Sequence, residues 1–76
     1  MQNRINELRK QRKLSQEQLA KLCNVSRQTI NAIENNKYDP TLSLAFELAN
    51  HLNVTVDELF QYNHKKGAVS KVTKPN

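Results

Sequence analysis

Apolar residues recur along this chain at spacings of three and four, in short bursts between polar stretches. Ile5 and Leu8, with arginine and lysine around them, predict an amphipathic helix over roughly residues 2–12. A second helix opens at Ser15, with Gln18 three residues on as a capping-box partner and Leu19, Leu22 and Cys23 along one face. A third opens at Ser26 and turns Ile30 and Ile33 inward. The fourth opens near Pro40 and Thr41, because a proline fits where the first helical N–H lacks a partner. Its buried stripe is Leu44, Ala45, Leu48, Ala49 and Leu52. The fifth opens at Thr55 with Glu58 as its capping-box partner, and Val56, Leu59 and Phe60 form its apolar face. No segment alternates as a half-buried strand does. The pattern predicts an all-α domain, a compact five-helix bundle.

Turns between such helices need positive φ, yet residues 1–66 contain no glycine. Asparagine is the next most tolerant residue there. Asn24, Asn35, Asn36 and Asn53 stand where helices should end, and they are expected to serve as caps. Beyond Tyr62 the periodicity stops. Residues 1–62 therefore form the expected domain, and residues 63–76 a basic, flexible tail.

Composition narrows the function. Seventy-six residues make one small domain, with 12 Lys and Arg against 7 Asp and Glu and a net charge of +5. One cysteine and one glycine exclude an intrachain disulfide, a zinc knuckle and a phosphate-cradling loop. No apolar run is long enough for a membrane helix or signal peptide, so a cytoplasmic protein is expected. The charge is unevenly placed. Residues 1–13 hold five bases and one acid, residues 14–63 three bases and six acids, and residues 64–76 four lysines and no acid. The acidic middle cannot meet a polyanion through a general basic surface.

The informative stretch is residues 15–35, two short helices separated only by Asn24 and Val25. Ala20 permits close approach, Val25 plugs the turn, and a steep crossing would make a helix-turn-helix. The outer face of the second of these helices offers Arg27, Gln28, Asn31 and Asn35, with Thr29 and Ala32 beside them. Arg suits guanine, Gln and Asn suit adenine, and the Ala and Thr methyls suit thymine. No acid occurs between residues 26 and 33, as an anion-facing surface requires.

The chain resembles the phage-repressor/Cro-type, or XRE, family of helix-turn-helix regulators. The resemblance rests on Leu14 to Ala20, Val25 to Ile30 and Ile33 to Asn35, and continues through Tyr38, Pro40, Leu44 and Asp57 to Phe60. It covers residues 2–61 and implies the phage-repressor DNA-binding fold. It also implies that Arg27, Gln28 and Ala32 face base edges, with Thr29 and Asn31 as further candidates. Gln16 would contact a phosphate and brace the first residue of the recognition helix. Ser26, Asn35, Lys37 and Tyr38 would meet the DNA backbone, and Arg9 would pair with Glu34 as a structural ion pair. The family often has glycine at the positions of Lys13, Asn24, Asn36 and Asn53, and lysine is the hardest of these to place.

The function expected is sequence-specific binding of double-stranded DNA by a transcriptional repressor. One recognition helix reads few base pairs, so a homodimer on a pseudo-palindromic operator is expected, with Val54, Phe60 and Tyr62 as interface candidates. Catalysis, a metal, a cofactor and a small-molecule ligand are not expected. Cys23 reads as a core residue, and His51 and His64 as surface positions. The alternative is a protein–protein module, an antitoxin-like or anti-regulator partner that keeps the fold. Such a module would have no need of Arg27 and Gln28.

Overall fold

A computed structural model of the chain describes residues 2–61. Five helices run in order: α1 (Ile5–Gln11), α2 (Gln16–Leu22), α3 (Arg27–Glu34), α4 (Leu42–Leu52) and α5 (Val56–Leu59). Two short strands, β1 (Gln2–Asn3) and β2 (Phe60–Gln61), bring the two ends of this span together. They pair antiparallel, Gln2 opposite Gln61 and Asn3 opposite Phe60.

Each of α2 to α5 starts on a hydroxyl. Ser15, Ser26, Thr41 and Thr55 accept from the backbone N–H three residues on, and Gln18 and Glu58 complete capping boxes at the first and last. The first four helices all end alike. Lys13, Asn24, Asn36 and Asn53 take positive φ, between 58 and 62°. At each, the left-handed N–H reaches back three residues and the next N–H reaches back five: Lys13 to Lys10 and Leu14 to Arg9, Asn24 to Lys21 and Val25 to Ala20. Asn36 to Ile33 with Lys37 to Ala32, and Asn53 to Asn50 with Val54 to Ala49, repeat the pattern. These are four Schellman endings built without glycine. Leu14, Val25 and Val54, each following a left-handed residue, pack against the core.

The core draws on every helix: Ile5, Leu19, Ile30, Ile33, Leu48, Leu52 and Leu59 are its largest fully buried side chains. Several expectations need correction. The first helix starts at Ile5, because Gln2 and Asn3 are drawn into the strand pair. Two residues per strand are too few to leave an alternating signature in sequence. Pro40 precedes the cap, since the Thr41 hydroxyl takes that role. Asn35 caps α3 with an ordinary φ of −92°, and Asn36 makes the left-handed turn. Leu22 is 48% exposed, as the α2 face toward the core is filled by Leu19, Ala20 and Cys23. Phe60 is buried in β2, so it offers no free interface, whereas Val54 is half-buried against the core and keeps part of its surface open. Tyr62, His64 and the tail at 63–76 lie outside the described residues.

Candidate nucleic-acid interface

α2 and α3 are joined by the four residues from Cys23 to Ser26, with Val25 anchored to the Ala20 carbonyl. Ser26 caps α3 through the Thr29 N–H, and the two hydroxyls lie 3.0 Å apart. The helix therefore begins at Arg27, and its first turn carries Arg27 and Gln28 outward. Both are exposed, and no hydrogen bond or ion pair engages either among the described residues. Helical spacing sets Gln28, Ala32 and Asn35 on one stripe, opposite Ile30 and Ile33. Arg27 and Asn31 flank it. Thr29 is half-buried on the other flank, its hydroxyl turned to Ser26.

The other expected contacts gather around this stripe. Asn35 donates through Nδ2 to the Asn31 carbonyl at 2.9 Å and to Asn31 Oδ1 at 3.2 Å. Lys37 and Tyr38 follow in the exposed loop after α3. Gln16, half-buried at the start of α2, donates through Nε2 to Glu34 Oε1 at 3.1 Å and accepts from Asn31 Nδ2 at 3.4 Å. It thus braces the middle and end of α3. Among the described residues it has no bond to Arg27; its amide N–H goes to Glu34 and its oxygen to Asn31.

Arg9 and Glu34 form the expected ion pair. Arg9 Nε donates to Glu34 Oε2 at 2.7 Å and Nη2 to Oε1 at 3.3 Å, with side chains only 9% and 4% exposed. Arg9 Nη1 is bonded to the Leu14 carbonyl at 2.8 Å, and Asn6 Nδ2 adds a further bond to Glu34 Oε1 at 3.1 Å. Burial works to raise the pKa of this carboxyl. The hydrogen bonds from Arg9, Asn6 and Gln16, with the Arg9 charge, outweigh it and hold the pKa below the ordinary value. Glu34 is ionised at neutral pH.

Two residues of this framework escaped the sequence reading, Asn3 and Asn6. Asn3 Nδ2 donates to the Ile33 carbonyl at 2.8 Å and to Asn36 Oδ1 at 3.2 Å, pinning the end of α3 to β1. Asparagine beside the first helix was the available signal, but a polar residue there also suits plain solvent exposure. Cys23 behaves as a core residue. Burial first, then the negative charge of Glu47, pushes its thiol up to about 11, which keeps it protonated and unreactive. Among the described residues no group of three or more His, Cys, Asp or Glu could hold a metal, and no helix is long and apolar enough to cross a membrane.

Comparison with known proteins supports the helix-turn-helix fold. The helix-turn-helix family model HTH_3 matches residues 5–59. An uncharacterized HTH-type transcriptional regulator of Methanocaldococcus jannaschii is 48% identical over 62 residues, which span 82% of this chain and 94% of that one. The immunity repressor protein of Bacillus phage phi105 is 41% identical over 56 residues, 74% of this chain but 39% of the repressor. Among solved structures, the restriction-modification controller protein C.AhdI from Aeromonas hydrophila superposes with a TM-score of 0.69 at 35% identity. That match covers 75% of this chain and 83% of the controller.

Proposed function

The chain belongs to the HTH_3, or XRE-type, helix-turn-helix family of transcriptional regulators, and on that premise we propose that it is a sequence-specific repressor reading the major groove with α3. Family members of this kind bind DNA and are not enzymes. The observation that carries the proposal is the first turn of α3. Arg27 and Gln28 stand exposed and unengaged among the described residues, on a helix whose far end is bound to α1, α2 and β1 through Glu34, Ile33 and Asn36. A rigid helix with two free, long, hydrogen-bonding side chains at its tip is what direct readout needs.

In this reading Arg27, Gln28 and Ala32 address base edges, with Thr29 and Asn31 at the margin of the contact. Ser26, Gln16, Asn35, Lys37 and Tyr38 address the backbone, and Arg9 and Glu34 hold the frame. Repression as the sign of regulation draws support from the phage immunity repressor, whose likeness covers this same domain. The working form is a homodimer on a pseudo-palindromic operator, in the cytoplasm, because a single α3 spans too few base pairs for a unique site. Residues 1–62 act as the DNA-binding unit and residues 63–76 as a basic extension.

Selection of bound sequences from random duplex DNA tests the proposal. A palindromic consensus with half-sites about one helical turn, roughly 34 Å, apart is the expected result. No enrichment would reject it in favour of a protein–protein module.

A further inference from the structure

Asn31 is exposed on α3, one turn beyond Arg27 and Gln28, yet neither end of its amide is idle. Its Nδ2 donates to Gln16 Oε1 on α2 at 3.4 Å, and its Oδ1 accepts from Asn35 Nδ2 at 3.2 Å. Gln16 in turn donates through Nε2 to Glu34 Oε1 at 3.1 Å. The amides therefore run head to tail, Asn35 to Asn31 to Gln16, and end on a carboxylate. The direction of each follows from that last acceptor. An ionised carboxylate only accepts, so Gln16 must turn its NH2 toward Glu34 and its oxygen toward Asn31. Asn31 must then turn its own NH2 toward Gln16, which leaves its oxygen for Asn35.

This arrangement conflicts with reading a base. An asparagine or glutamine recognises adenine with both ends of its amide at once, the oxygen accepting from N6 and the NH2 donating to N7. Both ends of Asn31 are spent inside the protein. Turning its amide over would set oxygen against oxygen at Gln16 and NH2 against NH2 at Asn35. Gln28, on the same helix, has neither end engaged among the described residues. What Asn31 does hold is Gln16. With Nε2 tied to Glu34 and Oε1 to Asn31, the Gln16 amide is fixed in rotation. The second hydrogen on its Nε2 has no described partner and is left for an outside acceptor, as a phosphate oxygen is.

We propose that Asn31 is a positioning residue of the DNA interface that acts through Gln16: it aims the Gln16 NH2 at a phosphate and reads no base itself, leaving Gln28 as the amide of α3 that selects adenine. This rests on the DNA-reading function above and narrows it. Gln28 and Asn31 stand three residues apart on one helix, so the bond to Gln16 also sets the spacing between base reader and phosphate contact. In the free protein that bond is exposed, and water competes for both partners, so it adds little to stability. Its effect appears when DNA displaces the water and the Gln16 amide must already point the right way.

The test uses the full chain as wild type, Asn31→Ala, Gln16→Ala and the double variant, with the operator found by selection. Alanine favours a helix, so Asn31→Ala should fold and melt no lower than wild type. Its affinity should fall roughly 3- to 10-fold, the worth of a single hydrogen bond, and by the same factor for the operator and for every single-base variant of it. In the Gln16→Ala background the same replacement should change affinity by less than about twofold. Exchanging individual phosphates for uncharged methylphosphonates should reveal a position where wild type loses affinity and both single variants lose less. A changed preference at any base pair in Asn31→Ala would make Asn31 a reader and overturn the proposal, leaving DNA reading by α3 intact. So would an undiminished loss in the Gln16→Ala background, since Asn31 would then act without Gln16, or no loss in either background. A wild type that selects no preferred duplex would overturn the DNA-reading function and this proposal with it.

Discussion

Glu34 receives hydrogen bonds from three side chains on two other helices: Arg9 and Asn6 of α1 and Gln16 of α2. α3 is thus held at its far end while Arg27 and Gln28 of its first turn stay free among the described residues. Replacing Glu34 by glutamine leaves the Arg9 charge buried without its partner, so it should cost about 3 kcal/mol at neutral pH, measured by urea unfolding. The pH dependence follows from the lowered carboxyl pKa. The stability Glu34 contributes is complete above the ordinary value of 4.5 and is lost as pH falls through the lower folded value. Thermal melts of wild type should therefore fall in that acid interval by more than those of the glutamine variant; parallel curves would contradict the assignment. Arg27 and Gln28 pose the opposite case. Being exposed and unengaged, each should tolerate alanine with no measurable loss of stability while losing about 1–3 kcal/mol of specific binding. Each variant should also relax base preference at its own position, which titrations against single-base operator variants will show.

Helix ends set the element scale. α1, α2, α3 and α4 all close on a left-handed residue, three of them asparagines whose short polar side chain tolerates that region. Lys13 is the exception, with a φ of 58° and no such compensation. Lys13→Gly should therefore raise stability by up to about 1 kcal/mol, since the relief of the Cβ contact exceeds the added chain entropy of glycine. For a domain of this size that corresponds to a Tm increase of roughly 4–8 °C by calorimetry. An unchanged or lower Tm would mean that the lysine side chain offsets its own strain. These turns also explain why the helices can be so short. α5 has four residues and α1 and α2 have seven, too few to persist alone, and they stand because capped ends present apolar residues to a shared core.

At the scale of the whole molecule, charge and shape divide the work. The described span, residues 2–61, holds eight bases and seven acids, so the folded body is close to neutral. Most of the net +5 belongs to the four lysines of residues 64–76. Removing that segment should make the dependence of log affinity on log salt shallower by about 0.9 for each lysine that meets a phosphate. An unchanged slope would place all counterion release within the folded body. Specificity should survive the truncation, because base reading is assigned to α3.

The repeating spacing of apolar residues, the hydroxyl caps and the asparagines at helix ends were legible in the chain because they act within a few residues of one another. They determined five helices, the α2–turn–α3 unit and the outward face of Arg27 and Gln28, and the resemblance placed Arg9 beside Glu34. What could not be read locally were the relations between elements. The strand pair joining Gln2–Asn3 to Phe60–Gln61, the hold of Asn3 on Ile33 and Asn36, and the turning of Gln16 toward Glu34 and Asn31 all link distant residues. The fate of apolar residues was divided in the same way. Periodicity marked Leu22 for the core and left Phe60 as an interface candidate, and the structure exposes the first and buries the second. A helix pattern states which residues share a face, but only the packed neighbours decide which part of that face is covered.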